Sequence, residues 1–161
     1  MTPTRPAVLL ALAAGFAVLG YLLAELAYGS VPVLPLSAPV TLALLAVAEG
    51  GMAKVVRDRV QHRRDRDGRP PRRPLHPVQV ARAAALAKAS SPTGAVVLGV
   101  YAGLFAWTAQ HRELAAADRD VVVSGLSALA GLGLVVAALL LERACRVPDP
   151  PEEDPPLGST A

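Results

Sequence analysis

Four ionisable side chains interrupt otherwise apolar stretches of this sequence, and they are the residues best placed to do chemistry: Glu25, Glu49, Lys88 and Glu142. A charge inside a bilayer costs ~2.5–3.5 kcal/mol on insertion scales and usually acquires a partner. Glu49 lies about 7 Å of helix rise before Lys54, and Lys88 begins another apolar stretch, so we expect both at a similar depth. The sequence therefore predicts an intramembrane polar cluster. Its expected members are Glu49, Lys88, Ser90, Ser91, Arg82 and Glu142.

The sequence leaves two arrangements of this cluster open. Glu49 and Lys88 face each other as an ion pair, or each extends separately to the lipid head groups. Glu142 is a second possible partner for Lys88 or Arg82. Glu25 lies near the end of its apolar stretch, and we expect it at the interface rather than buried.

No other set of residues forms a recognisable reactive site. The histidines, His62, His76 and His111, lie at unrelated spacings, so no metal site is expected. Cys145 is the single cysteine, which excludes an internal disulfide and a CxxC motif. There is no G-x-x-x-x-G-K-[ST] loop, and no nucleophile, base and orienting group can be assembled. The sequence therefore predicts a protein that is not an enzyme and holds no cofactor.

The elements that must position the polar cluster are four long apolar stretches. We place them at approximately residues 7–28, 38–60, 78–109 and 120–143, with a short polar loop over 110–120. As a helix, about twenty residues cross the ~30 Å hydrocarbon core of a bilayer. The chain has 161 residues, of which 53% are hydrophobic, and a mean hydropathy of +0.41. A soluble protein this short could not bury several wholly apolar helices, so we predict an all-α membrane protein with four transmembrane helices.

The distribution of basic residues predicts the orientation. Eleven of the sixteen Lys and Arg residues lie from Lys54 to Lys88, which is typical of a cytoplasmic loop. Four spans place both termini on that side, with fourteen basic residues inside and two outside. We therefore predict a multi-pass plasma-membrane protein with cytoplasmic N and C termini. The stretch 7–28 could also be a cleaved signal peptide, but its length and the three spans that follow favour a signal anchor.

Two segments of the chain are expected to be disordered. Within the membrane domain, 1–147, the basic loop 61–77 contains four prolines; beyond it, the tail 148–161 is acidic and Pro-rich. The arginines of the loop suit phosphate groups, and we expect them to meet anionic lipid head groups. Nucleic acid is an unlikely partner, because no aromatic residues are interleaved to stack on bases.

Small residues recur at helical spacing in the third and fourth stretches. Ala95, Gly99 and Gly103 stack at every fourth position, and Ser127 and Gly131 do the same. Such ridges allow close approach of another helix. We expect these five positions to mediate helix packing, with Trp107 at the same level as Tyr28 and a kink at Pro92.

Several segments resemble a known family. They are PTRP near the start, GYLLAELAYGSVPVLP, AVAE, LHPVQVARAAALAKASS and LLLERACRVP. Together they resemble an uncharacterised family of small actinobacterial membrane proteins, known only as a domain of unknown function, over nearly the whole chain. The resemblance implies a four-helix plasma-membrane protein whose genes tend to lie near those for folate and pantothenate synthesis. Many members carry two adjacent cysteines where this chain has Ala144 and Cys145, so a role for a cysteine pair does not transfer.

Two functions are compatible with these features. The first is a non-enzymatic membrane component or accessory subunit, which packs with itself or with another membrane protein through its small-residue ridges. The alternative is a small-solute transporter or transport accessory subunit that uses the Glu49 and Lys88 cluster.

Overall fold

The computed structural model describes residues 5–30, 34–61 and 77–145, and in these ranges the chain is all-helical. The helices are α1 (Pro6–Ala27), α2 (Ser37–Gln61), α3 (Pro77–Gln110) and α4 (Ala115–Ala144), with a 3-10 turn at Tyr28–Ser30. Each α-helix is long and apolar enough to cross a membrane. The predicted all-α fold with four such helices is therefore confirmed. The expectations for the segment between α2 and α3 and for the tail 148–161 lie outside the described residues.

Local sequence explains where the helices begin. Pro6 is the first residue of α1 and Pro77 the first of α3, positions where the missing N–H of proline costs nothing. α4 begins at Ala115, five residues before the expected boundary, because three alanines favour helix and Asp118 suits the positive end of the helix dipole. α3 continues through Pro92 as one helix of 34 residues.

The four helices form a row in the order α1, α3, α4, α2. α3 packs against α1 on one side and α4 on the other, and α2 packs along the far side of α4. Among the described residues, no Cα atom of α1 lies within 8 Å of one in α2 or α4. α1 and α2 therefore occupy the two edges, although they are consecutive in the sequence.

The chain segment that joins α1 to α2 has the length this order requires. The 3-10 turn rises about 2 Å per residue and residues 31–36 can reach at most about 3.4 Å each, so the segment can cover roughly 26 Å, within the range of about 24–30 Å for three helix spacings. Leu34, near the end of this segment, is buried. A linker of nine residues is therefore long enough to connect α1 and α2 at opposite edges of the row.

The predicted small-residue ridge of α3 lies against α1. A Cβ atom added to Gly99 would collide with the Ala13 carbonyl oxygen, and one added to Gly103 would collide with that of Ala17. The matched residue numbers rise together, so α1 and α3 run parallel. Ala95 is buried on the same side, in a cluster with Leu9. Ala95, Gly99 and Gly103 thus lie on the face of α3 that meets α1.

The small residues of α4 pack against the opposite side of α3. A Cβ atom added to Gly131 would lie 3.0 Å from the backbone nitrogen of Leu98, and Ser127 is fully buried. Gly94 of α3 meets Val135 in the same interface, so here the residue numbers run in opposite directions and the helices are antiparallel. Gly131 thus lies in the interface between α3 and α4, and Ser127 is buried about one turn before it on α4.

Candidate functional site

A buried carboxyl group lies where α2, α3 and α4 meet. Glu49 of α2 is only 1% exposed, and the Ser90 hydroxyl of α3 donates a short hydrogen bond to its Oε1 atom. Ser91 follows on α3 and is fully buried. We call Glu49, Ser90 and Ser91 the Glu49 cluster. The row order explains its position, since α2 and α3 meet at few points and Glu49 reaches past α4 to one of them.

Lys88 is not part of this cluster. Its side chain is exposed, and within the described residues no ion pair joins it to Glu49, so the expected pairing is not formed. The reason is geometric: Lys88 precedes Ser90 by two residues, which is about 200° around a helix of 3.6 residues per turn. Arg82 is also exposed. The alternative arrangement, in which Lys88 extends away from the helices, agrees with this exposure.

Glu142 is buried near the C-terminus of α4, and the Glu49 cluster lies further from the helix ends. It follows Leu141, which packs with Ala53 and Ala87 about one turn beyond Glu49. The predicted members therefore divide into three groups. Glu49 contacts Ser90, which Ser91 follows as a buried residue on α3; Glu142 is buried on α4; and Lys88 and Arg82 are exposed.

The Glu49 cluster retains unused hydrogen-bonding capacity. Within the described residues, Glu49 Oε2 and the Ser91 hydroxyl are buried and have no hydrogen-bond partner. A buried polar atom without a partner costs about 1–3 kcal/mol, so a donor or small cation placed there would be stabilised. The arrangement can therefore bind a polar or cationic group.

A second polar cluster, at the opposite end of the helices, was not predicted as a unit. The Tyr28 ring packs 4.3 Å from that of Trp107, which stacks at 4.3 Å on His111. Trp107 donates a 2.7 Å hydrogen bond to Glu25, and the Tyr28 hydroxyl donates one of 2.9 Å to Asp120. We call these five residues the Trp107 cluster.

Part of the Trp107 cluster could be anticipated from the sequence. Tyr28 and Trp107 lie at the same level, as predicted, and Glu25 is exposed, in agreement with an interfacial position. Asp120 was expected in a loop but is buried inside α4, where its Oδ1 atom has no hydrogen-bond partner in the described part of the chain. Burial and the hydrogen bond and charge of Asp120 raise the pKa of Tyr28 to about 12.

Both clusters lie within a stretch of the chain that matches one protein family. The family described as "Protein of unknown function (DUF3180)" matches residues 9–149. The chain belongs to the DUF3180 family. The resemblance to a domain of unknown function over nearly the whole chain is thus confirmed, and the DUF3180 match includes every residue of the Glu49 and Trp107 clusters. No curated protein and no solved structure matches the chain.

Ser90→Ala should destabilise the protein by about 1–3 kcal/mol, because it leaves Glu49 buried without its hydrogen-bond donor. The double variant Ser90→Ala with Glu49→Met should recover part of this loss, giving a coupling energy of about 0.5–3 kcal/mol. Unfolding of the detergent-solubilised protein, followed by the fluorescence of its single tryptophan, measures both. Lys88→Met is the matched control and should change stability by less than about 0.5 kcal/mol. Coupling of Glu49 to Lys88 rather than to Ser90 would contradict this assignment.

Tyr28→Phe should lower stability at pH 8 by about 1–3 kcal/mol, since it leaves the buried Asp120 carboxylate without its donor. The raised pKa of Tyr28 adds a pH signature. The stabilisation is complete below pH 10 and is lost as the pH rises towards about 12, so the melting temperature of the wild type should approach that of the variant in this window. Tyr101→Phe is the control. A constant difference from pH 8 to 12 would argue against the hydrogen bond.

Proposed function

We propose that this DUF3180 protein is a multi-pass plasma-membrane protein that acts as a non-enzymatic membrane component. The observation that carries the proposal is the apolar exterior of the four helices. Leu26, Val47 and Leu10 are exposed by 83%, 73% and 70%, and large apolar side chains are exposed on every helix. Exposure on this scale is unfavourable in water but matches the hydrocarbon of a bilayer.

The charge distribution supports an orientation with both ends of the chain in the cytoplasm. The Glu49 cluster lies towards the C-terminal end of α2 and the N-terminal end of α3, and the sequence from Lys54 to Lys88, which includes these two helix ends, holds eleven basic residues. At the other end, near the Trp107 cluster, the basic residues are Arg112 and Arg119. The positive-inside tendency places the basic end on the cytoplasmic side. Tyr28 and Trp107 then lie at the outer interface, where such aromatic residues are enriched.

The row arrangement favours a component that associates laterally over an isolated protein. In the described ranges, the backbones of α1 and α2 each run close to one main neighbour, and 17% and 22% of their most apolar windows are buried, so each leaves most of its surface to the surroundings. A second copy or another membrane protein could pack along either edge.

A transport role is the second candidate, and one specific observation favours it. Glu49 is buried with an oxygen that has no hydrogen-bond partner in the described residues, and intramembrane ionisable groups often mark paths for ions or polar solutes. The two candidates differ in what Glu49→Gln does. If the protein is a transporter, Glu49→Gln should abolish solute or ion movement in vesicles that contain as much protein as those with the wild type. If it is a non-transporting component, the wild type and Glu49→Gln should give the same movement.

Cys145 provides a direct test of location and orientation. It is the single cysteine and lies just after the C-terminus of α4, at the same end of the helices as the Glu49 cluster. A membrane-impermeant maleimide should label it in lysed cells and not in intact cells. Because burial raises the pKa of the Cys145 thiol, the reaction should be run at pH 8 to keep enough thiolate.

The matched control for this labelling places a cysteine at the opposite end of the helices, beside the Trp107 cluster. Gly29→Cys in a Cys145→Ser background puts a thiol at an exposed position beside the Trp107 cluster. This variant should be labelled in intact cells. Labelling of Cys145 without lysis would contradict the proposed orientation. Recovery of the protein in the soluble fraction would contradict the membrane location itself.

A further inference from the structure

An apolar groove opens between α2 and α3. It lies between the Glu49 cluster and the ends of these helices that are the C-terminus of α2 and the N-terminus of α3. It has a volume of about 440 Å³, within the ~300–1,000 Å³ range of ligand sites. The groove exists because α4 lies between α2 and α3 in the row, so these two helices barely touch. Its apolar walls are formed by Met52, Val55, Val56, Val80, Ala83 and Leu86.

The two remaining lining residues make the groove amphipathic along its length. Gln79 and Arg82 are its polar members. The hydrogen bond between Glu49 and Ser90 fixes the relative level of the two helices. Leu86 lies about 6 Å of helix rise from Ser90 and Arg82 about 12 Å, so the apolar walls come first and the cationic end follows. In the proposed orientation the apolar part faces the bilayer interior and Arg82 the head-group region.

Charge complementarity identifies the class of molecule that fits. Arg82 is exposed and, in the ranges the structure describes, has no hydrogen-bond or ion-pair partner. Its guanidinium suits a phosphate oxygen, and Gln79 can donate a further hydrogen bond from its amide. Basic pockets between helices on the cytoplasmic side of membrane proteins bind anionic lipid head groups.

We infer that this groove binds one anionic phospholipid, with an acyl chain along the apolar walls and the phosphate at Arg82 and Gln79. The inference rests on the proposed membrane location and orientation. It differs from a general attraction of the basic loop for acidic lipids, because it assigns retention of the lipid to one arginine. Lys54, Arg57 and Lys88 are exposed nearby and do not line the groove.

Native mass spectrometry of the full-length protein tests this assignment. The protein is equilibrated in mild detergent with equal amounts of phosphatidylglycerol and phosphatidylcholine, and the lipids that remain bound are counted. The wild type should retain one phosphatidylglycerol in preference to phosphatidylcholine. Arg82→Gln should lower this retention about fivefold, the change expected from ~1 kcal/mol for one basic residue near a head group. Lys88→Gln, on the same helix but outside the groove, is the matched control and should retain lipid like the wild type.

Two results would overturn the inference without affecting the membrane assignment. One is equal retention by Arg82→Gln and the wild type, with both proteins extracted from membranes in the same yield. The other is an equal loss in Arg82→Gln and Lys88→Gln, which would indicate diffuse attraction by the basic end. Arg82→Lys should retain partial preference, because it keeps the charge and loses the planar guanidinium contact. If the protein did not require detergent at all, the proposed membrane location would fail first.

Discussion

Close backbone contact at the glycines of α3 and α4 is the interaction on which the rest of the structure depends. In a bilayer, the location that we propose, helices have no hydrophobic reason to associate and do so through van der Waals contact, which small residues make possible. α3 is central because it carries small residues on two sides: Gly99 and Gly103 meet α1, and Gly94 meets α4. On α4, Gly131 lies against Leu98 of α3, and Gly133 lies close to Ala46 of α2. A row with α1 and α2 at its edges follows from this distribution of glycines.

The two polar clusters connect helices that the row keeps apart. Glu49 and Ser90 join α2 to α3 across the position of α4. Tyr28, just after α1, and Asp120 of α4 are joined in the same way past α3. Each hydrogen bond thus links second neighbours, one at each end of the helices. Hydrogen bonds of this kind are directional where apolar packing is not, so they fix how the helices are rotated and shifted along their axes.

Much of this architecture could be predicted from the sequence alone. The partner of Glu49 and the order of the helices could not, for a physical reason. The four helices follow from length and apolar composition, and close contact with another helix at Gly99 and Gly103 follows from their fourfold spacing. The burial of Glu49 could be argued from the cost of a charge in lipid. Its partner could not, because helices that are apolar all round do not reveal which side faces a neighbour, and Lys88 and Ser90 differ only by rotation. The row order was hidden for the same reason.

The most direct test of the row is a pair of disulfide crosslinks in native membranes, made in a Cys145→Ser background. A Cβ atom at Gly133 would lie 3.8 Å from that of Ala46, the usual Cβ separation in a disulfide. Ala46→Cys with Gly133→Cys should therefore crosslink α2 to α4 efficiently under mild oxidation. Leu10→Cys with Ala43→Cys places cysteines at matched levels on α1 and α2, and should not crosslink within one chain. Intrachain crosslinking of the second pair, without the first, would show a closed bundle and contradict the row.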